Sequence, residues 1–292
     1  MEVVFHAGAH CTDENQLVRS LQRNRATLNA AGVSVPGQGR YKPLLREALQ
    51  GLRGSPASKE MQQTLLDAIL EGEPPRRLIL SSETFMGALT NALDGARLYP
   101  MAEEKARWMR GLFPDAQPVL ALGIRNPATF LPAVAMRQGA QEGPRLIERS
   151  DPRALRWSDL VHRLRGAHPE VPIIVWCDED TPLIWGEVMH AVAGLGPDQS
   201  LAAGRDDRLT GLMSAAGQVK LQDYLARTPP ATDAQRRRIV TAFLDKFALD
   251  DEIELELDLP GWTHELVEAA TEAYDADTGM IAAMDGVHFI AP

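Results

Sequence analysis

The sequence predicts an α/β fold: a mostly parallel sheet of about five strands with helices on both faces. Short, near-continuous apolar runs recur along the chain, as in strands buried on both faces. Between them lie segments with apolar residues at helical spacing. Strand alternating with helix implies right-handed crossover units in one sheet. The composition, 45% hydrophobic and 24% charged over 292 residues, is that of a globular chain long enough for a real core.

Val3-Val4-Phe5 reads as the first strand. Residues 16–31 follow as a helix, with Leu17, Leu21 and Leu28 on one side and arginines on the other. Residues 37–39, 51–58 and 72–75 are loop material, rich in Gly, Ser and Pro. Met61, Leu65, Leu66, Ile69 and Leu70 repeat at helical spacing. Leu78-Ile79-Leu80 is the second strand, residues 102–112 a helix, and residues 119–122 the third strand. Residues 159–165 are helical, and residues 172–176 form the fourth strand. Beyond that point helices dominate. Residues 209–226 and 233–249 read as helices parted by Thr228-Pro229-Pro230, with Thr232 or Asp233 as a cap. Residues 252–257 alternate strictly, as a half-exposed strand does. Residues 264–274 return to a helical pattern, and residues 287–290 close as a short strand. The expected organisation is a single α/β domain over residues 1–292, with its core in 1–195 and a helical elaboration in 196–292.

Thirty basic against forty acidic side chains give a net charge of −10. Such a chain repels polyanions, which argues against nucleic acid as a partner. Cys11 and Cys177 are too few for a disulfide framework or a cysteine-rich metal site, and no metal is expected. No apolar stretch approaches the roughly 20 residues of a membrane span, and the first residues lack a basic leader. The expectation is a cytoplasmic protein with no membrane partner.

In open α/β sheets, ligands sit at the carboxyl ends of the strands. The first strand ends in His6-Ala7-Gly8-Ala9-His10-Cys11-Thr12 and runs into a helix. A small-residue turn of this kind offers backbone N–H groups to an anion. The later strands end in Ser81-Ser82-Glu83, Arg125-Asn126-Pro127 and Asp178-Glu179-Asp180. This ordered set resembles the P-loop sulfotransferases, in particular a bacterial branch whose first strand reads H-x-G-x-H-K-T-x-T-T/S. The resemblance spans about the first 190 residues. It implies a P-loop NTPase-like three-layer sandwich. It also implies transfer of a sulfuryl group from 3′-phosphoadenosine 5′-phosphosulfate to an unspecified hydroxyl or amine acceptor, a small molecule. On that reading Gly8, Ala9, His10, Cys11 and Thr12 cradle the phosphosulfate and Arg125 holds the 3′-phosphate. Glu83 or His10 takes the acceptor proton.

Three positions depart from the family pattern. Cys11 stands where the loop lysine would neutralise the donor. Asp13, Glu14 and Asn15 replace Gly, Ser or Thr. Two unit charges about 4 Å apart interact by roughly 4 kcal/mol at an effective dielectric near 20, so these carboxylates oppose a bound anion. Ala133 replaces the serine eight residues after Arg125, with Arg137 a possible substitute. These departures favour an alternative: a non-catalytic pseudoenzyme whose cleft binds another small molecule or a protein partner. A kinase-like reading lacks the lysine of G-x-x-x-x-G-K-[ST].

Overall fold

The computed structural model describes residues 1–196, 198–249, 259 and 261–292. In chain order the elements begin with β1 (Glu2–His6), α1 (Gln16–Gln22), α2 (Arg25–Ala30), β2 (Val33–Ser34), α3 (Gln38–Leu52), α4 (Lys59–Ile69) and β3 (Arg77–Ser81). A small hairpin, β4 (Leu93–Asp94) and β5 (Arg97–Leu98), precedes α5 (Ala102–Leu112), β6 (Gln117–Ile124) and α6 (Pro127–Arg149). Then come α7 (Trp157–Ala167), β7 (Ile173–Cys177), α8 (Thr181–Ala193), α9 (Ala215–Arg227), α10 (Asp233–Phe247), α11 (His264–Ala282) and β8 (Val287–Ile290).

Six strands form one sheet in the order β2-β3-β1-β6-β7-β8, and every pairing in it is parallel. Side chains alternate across a strand, so β1 feeds two cores. Val3 and Phe5 pack with Tyr41, Leu45, Met109, Phe130 and Leu160 on one face. Val4 packs with Leu17, Leu21, Leu28, Ile184 and Val188 on the other. Helices α3–α7 and α11 cover the first face; α1, α2 and α8 cover the second. The chain leaves β1 toward β2, returns through β3, then crosses to β6 on the opposite side. The crevice between β1 and β6 is therefore the topological switch point, at the carboxyl ends of the strands.

The four expected apolar runs are β1, β3, β6 and β7, and residues 287–290 are β8. The sheet has six strands rather than about five, because the two-residue β2 carries too little pattern to be read. The single helix expected over 16–31 is two. Asn24 breaks it by donating from its side chain to the Ser20 carbonyl at 3.0 Å and accepting from the Ala203 N–H at 3.1 Å. The loops expected at 37–39 and 51–58 are partly wrong, since α3 runs from Gln38 through Leu52. Its buried Tyr41, Leu45 and Ala48 recur at helical spacing, and their burial outweighs Gly39 and Pro43. The helix expected from 209 begins only at Ala215, where the Ser214 side chain accepts from the Gly217 N–H. Thr232 caps α10 by accepting from the Gln235 N–H. A third, small core of Leu209, Met213, Leu221 and Val240 joins α9 to α10. Arg236 and Arg237 pair with Asp206 and Glu187 and tie α10 down. The strand expected over 252–257 lies outside the described residues. Among the described residues, no helix is long and apolar enough to cross a membrane.

Candidate functional site

The turn after β1 is built by hydrogen bonds that extend the β1–β6 pairing past His6. The Ala7 N–H donates to the Ala121 carbonyl at 2.9 Å, and the Ala9 N–H to the Gly123 carbonyl at 2.7 Å. Gly123 returns its N–H to the Gly8 carbonyl at 2.7 Å. Gly8 has φ +95°, and a Cβ there would stand 3.1 Å from the His10 nitrogen and 3.4 Å from Glu83 Cα, so this position requires glycine. The His10 N–H donates to the Tyr99 hydroxyl at 3.0 Å. The expectation that the N–H groups directly after Gly8 are open to an anion is thus corrected for Ala9 and His10, both of which are consumed within the fold.

The open donors start at Cys11. Cys11, Glu14 and Asn15 have φ of 58°, 49° and 65°, which bends the chain sharply into α1. Across Cys11, Thr12, Asp13, Glu14 and Asn15, the N–H groups donate to no partner among the described residues. Thr12 Oγ1 donates to the Ala9 carbonyl at 2.8 Å and holds the turn closed. Asp13 Oδ2 accepts from the Leu17 N–H at 2.9 Å, so this carboxylate caps α1, as its place in the sequence suggests.

On one side of the turn lies a cavity of about 1080 Å³. Thr12, Asp13, Glu14, Arg125 and Thr129 line it. Asp178, Glu179 and Arg208 add further polar lining, and Leu212, Leu244, Trp262 and Val267 apolar lining. Arg125 donates to the Cys11 carbonyl at 2.6 Å and to Thr129 Oγ1 at 3.0 Å, which aims its guanidinium along the turn. Two of the three carboxylates after β7, Asp178 and Glu179, hold the frame. Asp178 accepts from Arg208 at 2.8 Å, yet burial still pushes its carboxyl up to about 6. Glu179 accepts from the Asn126 N–H at 2.7 Å and the Tyr274 hydroxyl at 3.2 Å, and burial raises its carboxyl as well. Asp180 precedes α8 without a side-chain cap bond.

On the other side of the turn stand the two candidate bases. Glu83 follows β3 in a turn, not at the start of a helix. Its carboxylate accepts from both terminal nitrogens of Arg137, at 2.9 and 2.8 Å. That pairing, led by the Arg137 hydrogen bonds, holds its carboxyl below the usual range. His10 is buried; Nδ1 shares a hydrogen with the Tyr99 hydroxyl at 2.8 Å, and Nε2 meets no partner. Burial lowers its imidazole to about 4, with Glu83 opposing the shift. Burial pushes the Cys11 thiol up, against the pull of Arg137. Neither Glu83 nor His10 lines the large cavity.

Of the predicted site residues, the structure brings Thr12 and Arg125 to the cavity, while Gly8, Ala9, His10, Cys11 and Glu83 do not line it. His6 is a core histidine, its Nδ1 2.9 Å from Ser81 Oγ, its Nε2 buried with no partner among the described residues, and its ring stacked on Trp176. Arg137, weighed above as a replacement beside Arg125, stands instead next to Cys11, with Nη1 3.7 Å from its sulfur. Tyr99 and Arg208 were not singled out by the sequence. Each arrives from a distant segment without a motif around it. Among the described residues no group of three or more His, Cys, Asp or Glu side chains is placed to hold a metal ion. In comparisons with known proteins, the chain matches no protein-family model and no curated protein sequence.

Proposed function

We propose that this chain is a sulfotransferase-like protein that binds 3′-phosphoadenosine 5′-phosphosulfate, or the bisphosphate left by transfer, at the switch point between β1 and β6. The observation that carries this reading is the run of N–H groups from Cys11 to Asn15 without a partner among the described residues, of which Thr12, Asp13 and Glu14 line, with Arg125, a cavity large enough for a nucleotide. Oriented N–H groups and an arginine fork are a matched set for phosphate and sulfate oxygens. The three-layer α/β architecture, with the turn following the central strand, supports the same reading.

The experiment is thermal melting with adenosine 3′,5′-bisphosphate. A ligand present at 100 times its dissociation constant stabilises the folded state by about 2.7 kcal/mol. Wild-type protein should melt several degrees higher with the nucleotide, and Arg125→Ala should lose that shift. No shift at millimolar nucleotide would sink the reading.

A second reading, a non-catalytic binder, is favoured by one specific observation. Both candidate bases are withheld: Glu83 by its two bonds to Arg137, His10 by burial against Tyr99. Release of bisphosphate from the sulfated donor in the presence of phenolic, sugar and amine acceptors separates the two. Turnover above the rate in buffer supports the enzyme; binding without turnover supports the binder.

A further inference from the structure

Arg137 is a cation held at the turn after β1 by two carboxylates, Glu83 closely and Glu14 at longer range. Its guanidinium meets Glu83 twice, at 2.9 and 2.8 Å, lies 3.5 Å from Glu14 Oε1, and stands 3.7 Å from the Cys11 sulfur. Both partners of the ion pair are partly open to solvent, Arg137 at 37% and Glu83 at 32%. Lys42, on α3, has its ammonium charge opposed by burial and supported by Glu83 and Asp13. Glu83 therefore faces two cations, and His10 stands behind it with Nε2 buried and unpartnered. The carboxylate occupies a position toward which an arginine and a lysine both bring positive charge. A second anion with oxygens in a planar fork would compete for the same guanidinium.

We propose that Glu83 is an internal placeholder for the ligand's sulfuryl or terminal phosphoryl group. A bound anion takes Arg137 from Glu83, and the freed carboxylate is left beside His10 and Lys42. Arg137 then supplies at the turn the positive charge that Cys11 cannot. This rests on the nucleotide-binding reading above, and it adds the residue that recognises the sulfuryl end and the carboxylate that guards it. The exchange predicts opposite signs for the two partners. Removing Arg137 weakens binding of the sulfated nucleotide. Neutralising Glu83 strengthens it, because the guanidinium no longer has to leave an ion pair.

Isothermal titration of 3′-phosphoadenosine 5′-phosphosulfate and of adenosine 3′,5′-bisphosphate tests this. Wild type, Arg137→Ala, Arg137→Lys, Glu83→Gln and the Arg137→Ala/Glu83→Gln double variant are compared, with melting curves as a check of folding. Arg137→Ala should weaken the sulfated donor by about tenfold or more and the bisphosphate far less. Arg137→Lys should recover part of the loss. Glu83→Gln should tighten the donor by roughly two- to fivefold, the range set by a partly exposed ion pair. The double variant should match Arg137→Ala alone. Equal losses for both nucleotides in Arg137→Ala, or weaker donor binding in Glu83→Gln, overturn the exchange. If Arg125→Ala abolishes binding while every Arg137 and Glu83 variant binds as wild type, the exchange fails and the nucleotide reading stands. If neither nucleotide binds wild type or Glu83→Gln, both fall.

Discussion

Asp277 is 1% exposed and accepts from the Trp157 N–H at 2.7 Å, the Ser158 N–H at 3.1 Å and the Ser158 hydroxyl. It lies on α11, yet it satisfies the first turn of α7, whose own preceding residue, Arg156, makes no side-chain cap bond. Asp277→Ala would leave those donors buried and unpaired. Each stranded group costs roughly 1–3 kcal/mol, so a loss of about 3 kcal/mol is expected in urea unfolding. A loss under about 1 kcal/mol would show that water reaches the site. The comparison with Arg125 is instructive about what the sequence could reveal. Arg125, Gly8, Cys11 and Thr12 were legible because each follows a strand directly, and the ends of central strands in such a sheet converge. Tyr99 and the Glu83–Arg137 pairing were not, because their partners are set by packing between segments far apart in the chain. Consumption of the Ala9 and His10 N–H groups was invisible for the same reason.

Among the elements, α9 offers a case where two local effects disagree. Gly217 sits within that helix, where alanine is favoured over glycine by roughly 1 kcal/mol. A Cβ on Gly217 would, however, stand 2.4 Å from Phe247 Cβ on α10 and 2.8 Å from Met213 Cγ. Overpacking of this kind costs about 1–3 kcal/mol, so packing outweighs propensity. Gly217→Ala should lower the unfolding midpoint, and the near-ultraviolet signal of the aromatic side chains around Phe247 should weaken with it. A stabilised variant would mean that the two helices slide apart freely. The elements that were easiest to read, β1, β3, β6 and β7, carry unbroken apolar runs because both faces of the sheet are covered. Helix α3 was harder. Its glycines and its proline signal a loop, while three buried side chains one helical face apart, with the Tyr41 hydroxyl donating to the Ser81 carbonyl at 2.9 Å, decide otherwise. The break between α1 and α2 depends on Asn24 reaching the Ala203 backbone, a contact no local pattern encodes.

For the molecule as a whole, acid stability is set by opposing groups. Burial lowers the imidazoles of His6 and His10, the latter to about 4 from an ordinary value of 6.5. The unfolded chain then takes up the proton first as pH falls. Stability is intact above 6.5 and is lost as pH drops toward 4. Asp178 works the other way. With its carboxyl raised to about 6 from 3.8, its contribution is fully present below 3.8 and lost as pH rises through 6. Glu83, held below the usual range by Arg137, loses its contribution as pH falls. Comparing one variant with wild type at two pH values isolates one group. His10→Gln should destabilise at pH 7, but the gap should close by about 2–3 kcal/mol at pH 4, because only wild type carries the imidazole penalty. Urea titrations at both pH values measure it, and parallel pH profiles for the two proteins would show that His10 does not titrate as its burial implies.

The strand β8 pairs along β7 from Ile173 to Trp176, yet it is encoded after α9, α10 and α11. During synthesis, the outer rim of β7 therefore emerges from the ribosome long before its covering segment exists. That rim is a row of unmatched amide groups flanked by apolar side chains, and such a row pairs readily with any neighbouring nascent chain. The order in which this protein is made thus leaves a window of exposure that lasts until Val287–Ile290 pair along β7.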